Sequence, residues 1–307
     1  MRNLSDQAFK VLTAGVATAL VAVTLALFYV LYTGSFPAIR SGVAFVIGST
    51  WSGDIGTVYG VLPMIYGSVT TSAIALAIGV PLSLGIAIFL SELSPARLRS
   101  PLSFVVEMLA AVPSVVYGLW GLFVLAPLLT DYAYPWLQTY LGFLPIFQGT
   151  IYGANILTAG IILAIMIVPI VSSVSRDALL AVPNSQREAA YALGATKSEA
   201  IRISVLSYAR SGIFASIFLG LGRAFGETIA VTMVVGNTPL ISRSLFSPGY
   251  TLASLIANEF TEATTAFHLS ALIEAGLVLL IVVFFTNVAA RLLIGRLVKS
   301  RGAASYL

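Results

Sequence analysis

Residues 188–227 read EAAYALGATKSEAIRISVLSYARSGIFASIFLGLGRAFGE, and this stretch decides the fold. In its first half Glu188, Lys197, Glu199, Arg202 and Arg210 are interleaved with Ala, Leu and Ile at helical spacing. Its second half, from Ile213 onward, carries no charge except Arg223 and Glu227. A charged segment that runs directly into an apolar helix marks the place where a water-exposed loop enters a membrane span. Just upstream, Pro183 and Asn184 give a helix start, and Gly194 interrupts the run. The spacing therefore predicts a short helix, a turn and a second helix. Composition alone leaves open an amphipathic helix lying on lipid headgroups.

The rest of the chain has the same character. It is 58% hydrophobic and only 9% charged over 307 residues, with a mean hydropathy of +0.98, where a soluble domain carries roughly 25% charge. The pattern predicts an all-α, polytopic membrane protein. Six segments supply the roughly 20 apolar residues that a span requires: about 11–32, 64–90, 102–129, 151–174, 213–235 and 271–297. The first follows Arg2 and Lys10 but is longer than the roughly 7–15 apolar residues of a signal peptide, so it reads as a retained helix. With no cysteine, disulfides and thiolate-bound metals are excluded, and the single histidine, His268, reads as a polar residue at the outer edge. No metal site is expected.

Lys and Arg fall on alternate connections. One set holds Arg2, Lys10, Arg97, Arg99, Arg176, Arg187, Lys197, Arg202, Arg210, Arg296, Lys299 and Arg301. The other holds only Arg40 and Arg243, beside Asp54, Asp131, Glu259 and Glu262. Both termini are thus expected in the cytoplasm of a cell (plasma or inner) membrane. The net charge of +4 fits this bias and membrane lipid with anionic headgroups, with no nucleic acid as partner. The outer connections, 33–63, 130–150 and 236–270, carry aromatics such as Trp51, Tyr132, Tyr134 and Trp136, read as interfacial anchors or as a docking face for an extracytoplasmic partner. The division expected is 1–63, a first helix and outer loop; 64–297, the main transmembrane domain with a coupling loop at about 183–207; and 298–307, a cytoplasmic tail.

Glu188, Ala189, Ala190, Gly194 and Ala195 resemble the EAA signature of ABC importer permeases, in the inner loop between the fourth and fifth of six spans. The third-span run AAVPSVVYGLWGL (110–122) and the fifth-span LGLGRAFGET (219–228), with Val231, Thr232, Met233, Gly236 and Asn237, are similar to the permease family of phosphate ABC importers, PstC type. The match covers roughly residues 64–297. Ser207 departs from it, since the family usually has Pro there. The resemblance implies a type I ABC importer permease fold and a coupling loop that docks on an ATP-hydrolysing subunit. It further implies a second, homologous permease (PstA type), two ATPase subunits and an extracytoplasmic phosphate-binding protein. This chain has no P-loop, so no cofactor is expected on it, and ATP and Mg would belong to the partner ATPase.

The fifth span also carries a reading of its own. A charge in mid-span costs about 2.5–3.5 kcal/mol on insertion scales, so Arg223 is a candidate functional residue. Glu227, four positions on, is expected on the same helical face. The pair either permits insertion only or forms a substrate pathway, and a guanidinium fork suits a tetrahedral oxyanion. Gly220, Gly222 and Gly226 are expected to let a neighbouring helix approach closely. Moving one charge against 100 mV costs about 2.3 kcal/mol, so an anion of charge near about −2 enters a negative cytoplasm only with an energy source. Rival readings are a permease for another oxyanion such as sulfate or molybdate, and an ion-coupled secondary transporter, which calls for internal repeats and broken helices. A membrane-embedded enzyme is disfavoured, because no nucleophile–base pair stands out.

Overall fold

A computed structural model describes residues 4–39, 42–51 and 58–303, with side chains described over 7–39, 42–51 and 58–292. Arg2, Arg40, Asp54 and residues 304–307 of the expected tail therefore lie outside the described residues, as do the side chains of Arg296, Lys299 and Arg301. Among the described residues six helices are long and apolar enough to cross a membrane: Gln7–Gly34, Leu62–Leu93, Ser114–Leu141, Ile156–Leu180, Lys197–Gly226 and Ala266–Leu292. The one β feature described is a single bridge between Trp51 and Tyr59.

The fourth span is the hub. Without a hydrophobic drive between helices in lipid, close packing depends on small residues. Gly160 faces Ile74 of the second span so tightly that a Cβ there would stand 2.5 Å from Ile74 Cγ2. Gly79 meets Ile167 and Gly220 of the fifth span meets Val171 in the same manner. Ser175 and Ser216 share a buried 2.7 Å hydrogen bond between the fourth and fifth spans. The first span, by contrast, buries none of its most apolar window within the chain. Its C-terminal end reaches the sixth span, where Gly34 faces Ile273 and the Ala38 amide donates to Ser270 Oγ.

Two spans differ from expectation. The predicted third span, 102–129, is cut in two: a helix Ala96–Ala111 ends at Val112, and the membrane-crossing helix starts afresh at Ser114. Pro113 restricts Val112 to an extended conformation, so it terminates a helix rather than kinking one. The third span then runs on to Leu141 and takes in much of the expected outer loop 130–150. Pro81 and Pro169 instead lie inside continuous helices.

The second difference is in the fifth span, predicted to run to 235. Its helix ends at Gly226; Glu227 is extended (φ −72°, ψ 124°), and a short helix Ile229–Val234 follows. Arg223 thus occupies the last turn of a helix, not the middle of one.

Among the expected interfacial aromatics, Tyr132 and Trp136 are exposed but Tyr134 is fully buried. Its hydroxyl meets Thr158 Oγ1 at 2.6 Å. Trp51 is drawn into a cluster with Phe45, Tyr59 and His268.

Candidate functional site

The two helix breaks face each other. Gly118, one turn past Pro113, lies against Met233 and Ala230 of the short helix: a Cβ on it would stand 2.6 Å from Met233 Sδ and 3.0 Å from Ala230 Cα. Val112, Tyr117, Ala224, Ala230 and Val231 belong to one apolar cluster around the pair of breaks. Tyr117 donates back across its own break to the Leu109 carbonyl at 2.9 Å. Each break leaves unpaired backbone groups at membrane depth, which is tolerated only where protein or a polar cavity receives them.

Arg223 and Glu227 sit at this junction in unequal settings. The Arg223 side chain is 35% exposed and that of Glu227 8%. Their closest approach, Nη2 to Oε2, is 3.8 Å, long for a charge-assisted bond. Glu227 accepts from the Ala230 amide at 3.4 Å, in the first turn of the short helix that follows it. Arg223 Nε is buried and has no hydrogen-bond partner. The result is a guanidinium with donors to spare, held beside an acid already engaged elsewhere. The expected shared helical face is corrected by the break at Glu227: proximity comes from the turn geometry, not from helical periodicity. The glycines also divide. Gly220 packs on the fourth span as expected, whereas Gly222 and Gly226 meet no neighbouring element among the described residues within 4 Å of a Cβ position. Both border open space.

The coupling segment takes the expected form of helix, turn and helix. Helix Asn184–Ala192 closes with Gly194 at φ +83°. The Ala195 amide donates to the Ala190 carbonyl and the Gly194 amide to that of Tyr191, a Schellman closure that requires the left-handed residue. Thr196 then opens the next helix with a capping box to Glu199. Glu188, Ala189 and Gly194 are exposed and Ala195 is half-buried, but Ala190 is buried against the body of the protein. Leu193 is 89% exposed at the tip, an apolar residue offered to solvent.

Sequence reasoning passed over the clamp behind this segment. Arg187 Nη2 meets Glu92 Oε1 at 2.6 Å and Nε meets Oε2 at 3.3 Å. The same guanidinium donates to the carbonyls of Val182 and Leu179. It ties the helix Asn184–Ala192 to the second span at Glu92 and to the fourth at Leu179. The available signal was Glu92, an acid in a connection otherwise basic, but its partner is 95 residues away.

At the opposite end His268 Nε2 and Glu259 Oε2 are 3.0 Å apart, and Trp51 Nε1 donates to the same oxygen at 2.7 Å. Nearby, burial pushes the Tyr250 phenol up to about 12 while Asn258 donates to it. Two acids differ from each other here. Glu107 is exposed and pairs with Arg176 at 3.1 Å. Glu274 is buried, with Oε2 unpartnered. Among the described residues no group of three or more His, Asp or Glu could hold a metal ion.

Six apolar spans, two facing helix breaks and an exposed helical turn between the fourth and fifth spans define a membrane transport component. Residues 79–299 match the family described as binding-protein-dependent transport system inner membrane component, and the chain belongs to that family. The phosphate transport system permease protein PstC of Xylella fastidiosa (strain Temecula1) is 46% identical over 303 residues, 97% of this chain and 93% of that one. Its namesake in Mesorhizobium japonicum is 42% identical, over 98% of this chain and 93% of that one. PstC 2 of Mycobacterium tuberculosis is 41% identical, over 94% and 92%. A chain of the MetNI methionine ABC transporter, inward facing, superposes with a TM-score of 0.51 at 17% identity, covering 78% of this chain and 94% of that one. The expected ABC importer permease fold is borne out.

Proposed function

We propose that this chain is the transmembrane permease subunit of an ATP-driven importer that carries inorganic phosphate into the cytoplasm. The observation that carries the reading is the loosely paired Arg223, with spare donors at a helix break that borders open space. The relatives named for phosphate transport, at 42–46% identity over nearly the whole chain, support the cargo. In this reading Arg223 attracts the anion, and Glu227 pairs with it between transport events or accepts a hydrogen bond from a P–OH group. Sulfate carries no proton at neutral pH and gains nothing from that acceptor. An unpaired buried polar group costs about 1–3 kcal/mol, which gives roughly 5–150-fold discrimination.

The exposed turn around Glu188, Ala189, Gly194 and Ala195 docks on a separate ATPase, with Ala190 seating the helix from behind. ATP and Mg act on that partner. A second homologous permease, two ATPases and an extracytoplasmic phosphate-binding protein complete the assembly. Both termini and the coupling turn face the cytoplasm. The first helix and its outer loop, residues 1–63, flank the transport domain at 64–297. Uptake of radiolabelled phosphate and sulfate into vesicles that hold the complete complex tests the reading. Arg223→Gln abolishes phosphate uptake with assembly intact; Glu227→Gln lowers it or admits sulfate. Normal phosphate uptake by Arg223→Gln would overturn the pathway.

A further inference from the structure

A groove of about 590 Å³ opens between the fifth and sixth spans, lined by Ser211, Phe214, Ala215, Phe218, Leu219, Asn287 and Arg291. That is within the range of ligand sites, roughly 300–1,000 Å³. On the sixth span it reaches Arg291, next to the end of that span at Leu292, and on the fifth it runs from Ser211, just before the apolar run that begins at Ile213, to Leu219. Its chemistry is two-sided. Phe214, Phe218 and Leu219 form an apolar wall, and Leu219 is 55% exposed. Arg291 stands over the Phe218 ring at 5.5 Å. No carboxylate lies within ion-pair distance of Arg291 among the described residues. Asn287 donates to the Val283 carbonyl of its own helix, which leaves its side-chain oxygen free.

We propose that this groove is an anionic phospholipid site. Arg291 takes the phosphodiester of the headgroup, and the Phe214–Phe218–Leu219 wall takes the first part of an acyl chain. The charge argues for this occupant: a basic residue between transmembrane helices, at the end of the bundle that carries the surplus of Lys and Arg, faces the leaflet region where anionic headgroups sit. The apolar wall argues against free inorganic phosphate, which has no use for it. Arg291 and Arg223 are separate cations: Arg291 stands over Phe218, five residues before Arg223 on the fifth span and roughly 7.5 Å from it along the helix axis.

The experiment is native mass spectrometry of the complete complex in detergent, titrated with phosphatidylglycerol, phosphatidylcholine or inorganic phosphate. Phosphatidylglycerol adducts are expected to saturate, and Arg291→Gln to weaken them about fivefold, since one cation near a headgroup contributes about that factor. Arg291→Lys is expected to restore most of the binding. Ala215→Trp, which fills the groove and keeps the charge, is expected to abolish saturable binding. Equal retention of phosphatidylglycerol and phosphatidylcholine would overturn the proposal. So would displacement of the lipid by millimolar inorganic phosphate, which would make this an anion site, or unchanged phosphatidylglycerol binding in both Arg291→Gln and Ala215→Trp.

Discussion

Truncating Arg187 is expected to release the coupling helix from the membrane body. The side chains of Arg187 and Glu92 are only 17% and 10% exposed, so their pairing is shielded from solvent and little screened by salt. Breaking one partner of a buried pair costs about 3–5 kcal/mol, because the other charge is left unpaired. Residual exposure argues for the lower end, about 3 kcal/mol, which is about two decades in an equilibrium constant. Arg187→Met in the assembled transporter is therefore expected to lower hydrogen-exchange protection of amides 184–196 about a hundredfold. ATP hydrolysis is expected to persist while uptake falls. The double variant Arg187→Met with Glu92→Met removes both charges and is expected to recover most of the protection, since apolar replacement of a whole buried pair is often neutral. Exchange in Arg187→Met within about threefold of the parent would refute the clamp as the element that holds this helix.

Gly194→Asp places a side chain at φ +83°, costing about 1–2 kcal/mol for the left-handed conformation. It also adds a charge to the docking turn, so ATPase activity without phosphate uptake is expected, and normal uptake would contradict the docking role. Thr196→Ala removes the capping box with Glu199 and is expected to cost about 1 kcal/mol, read as faster exchange at amides 197–200. Gly118→Val drives a side chain into Met233 and Ala230 and is expected to destabilise by about 1–3 kcal/mol through overpacking. Met233→Ala should relieve part of that loss in a thermal unfolding series.

The number of spans was legible because lipid imposes one rule, an apolar run long enough to cross, and composition records it directly. Helix ends were less so. The third span looked like one run from Leu102 because Ala110–Val112 are as apolar as their neighbours; only Pro113 signalled that the chain stops and restarts. The break at Glu227 had no such mark, since Gly226, Glu227 and Thr228 are all admissible in a helix. The contact that accompanies it is local but side-chain specific: the Glu227 carboxylate accepts from the Ala230 amide three residues on. The coupling turn, in contrast, was written locally. Gly194 for the left-handed residue and Thr196 with Glu199 for the cap are short-range signals. Long-range pairs such as Arg187 with Glu92, or Tyr134 with Thr158, leave no periodic trace.

The capping box that closes the coupling turn also begins the helix whose last turn holds Arg223. From Lys197 to Gly226 the chain is helical without a gap, with one π turn at Ile201–Val205. Thirty residues at about 1.5 Å each make a rod of about 45 Å. Its near end hangs on the turn that offers Leu193 to solvent, and its far end holds the guanidinium. Pivoted at the turn, a tilt of about 5° sweeps the far end through about 4 Å, comparable to the 3.8 Å that separates Arg223 from Glu227. A rigid lever of this length needs no relay of side chains to carry a displacement from the exposed turn to the Arg223 guanidinium.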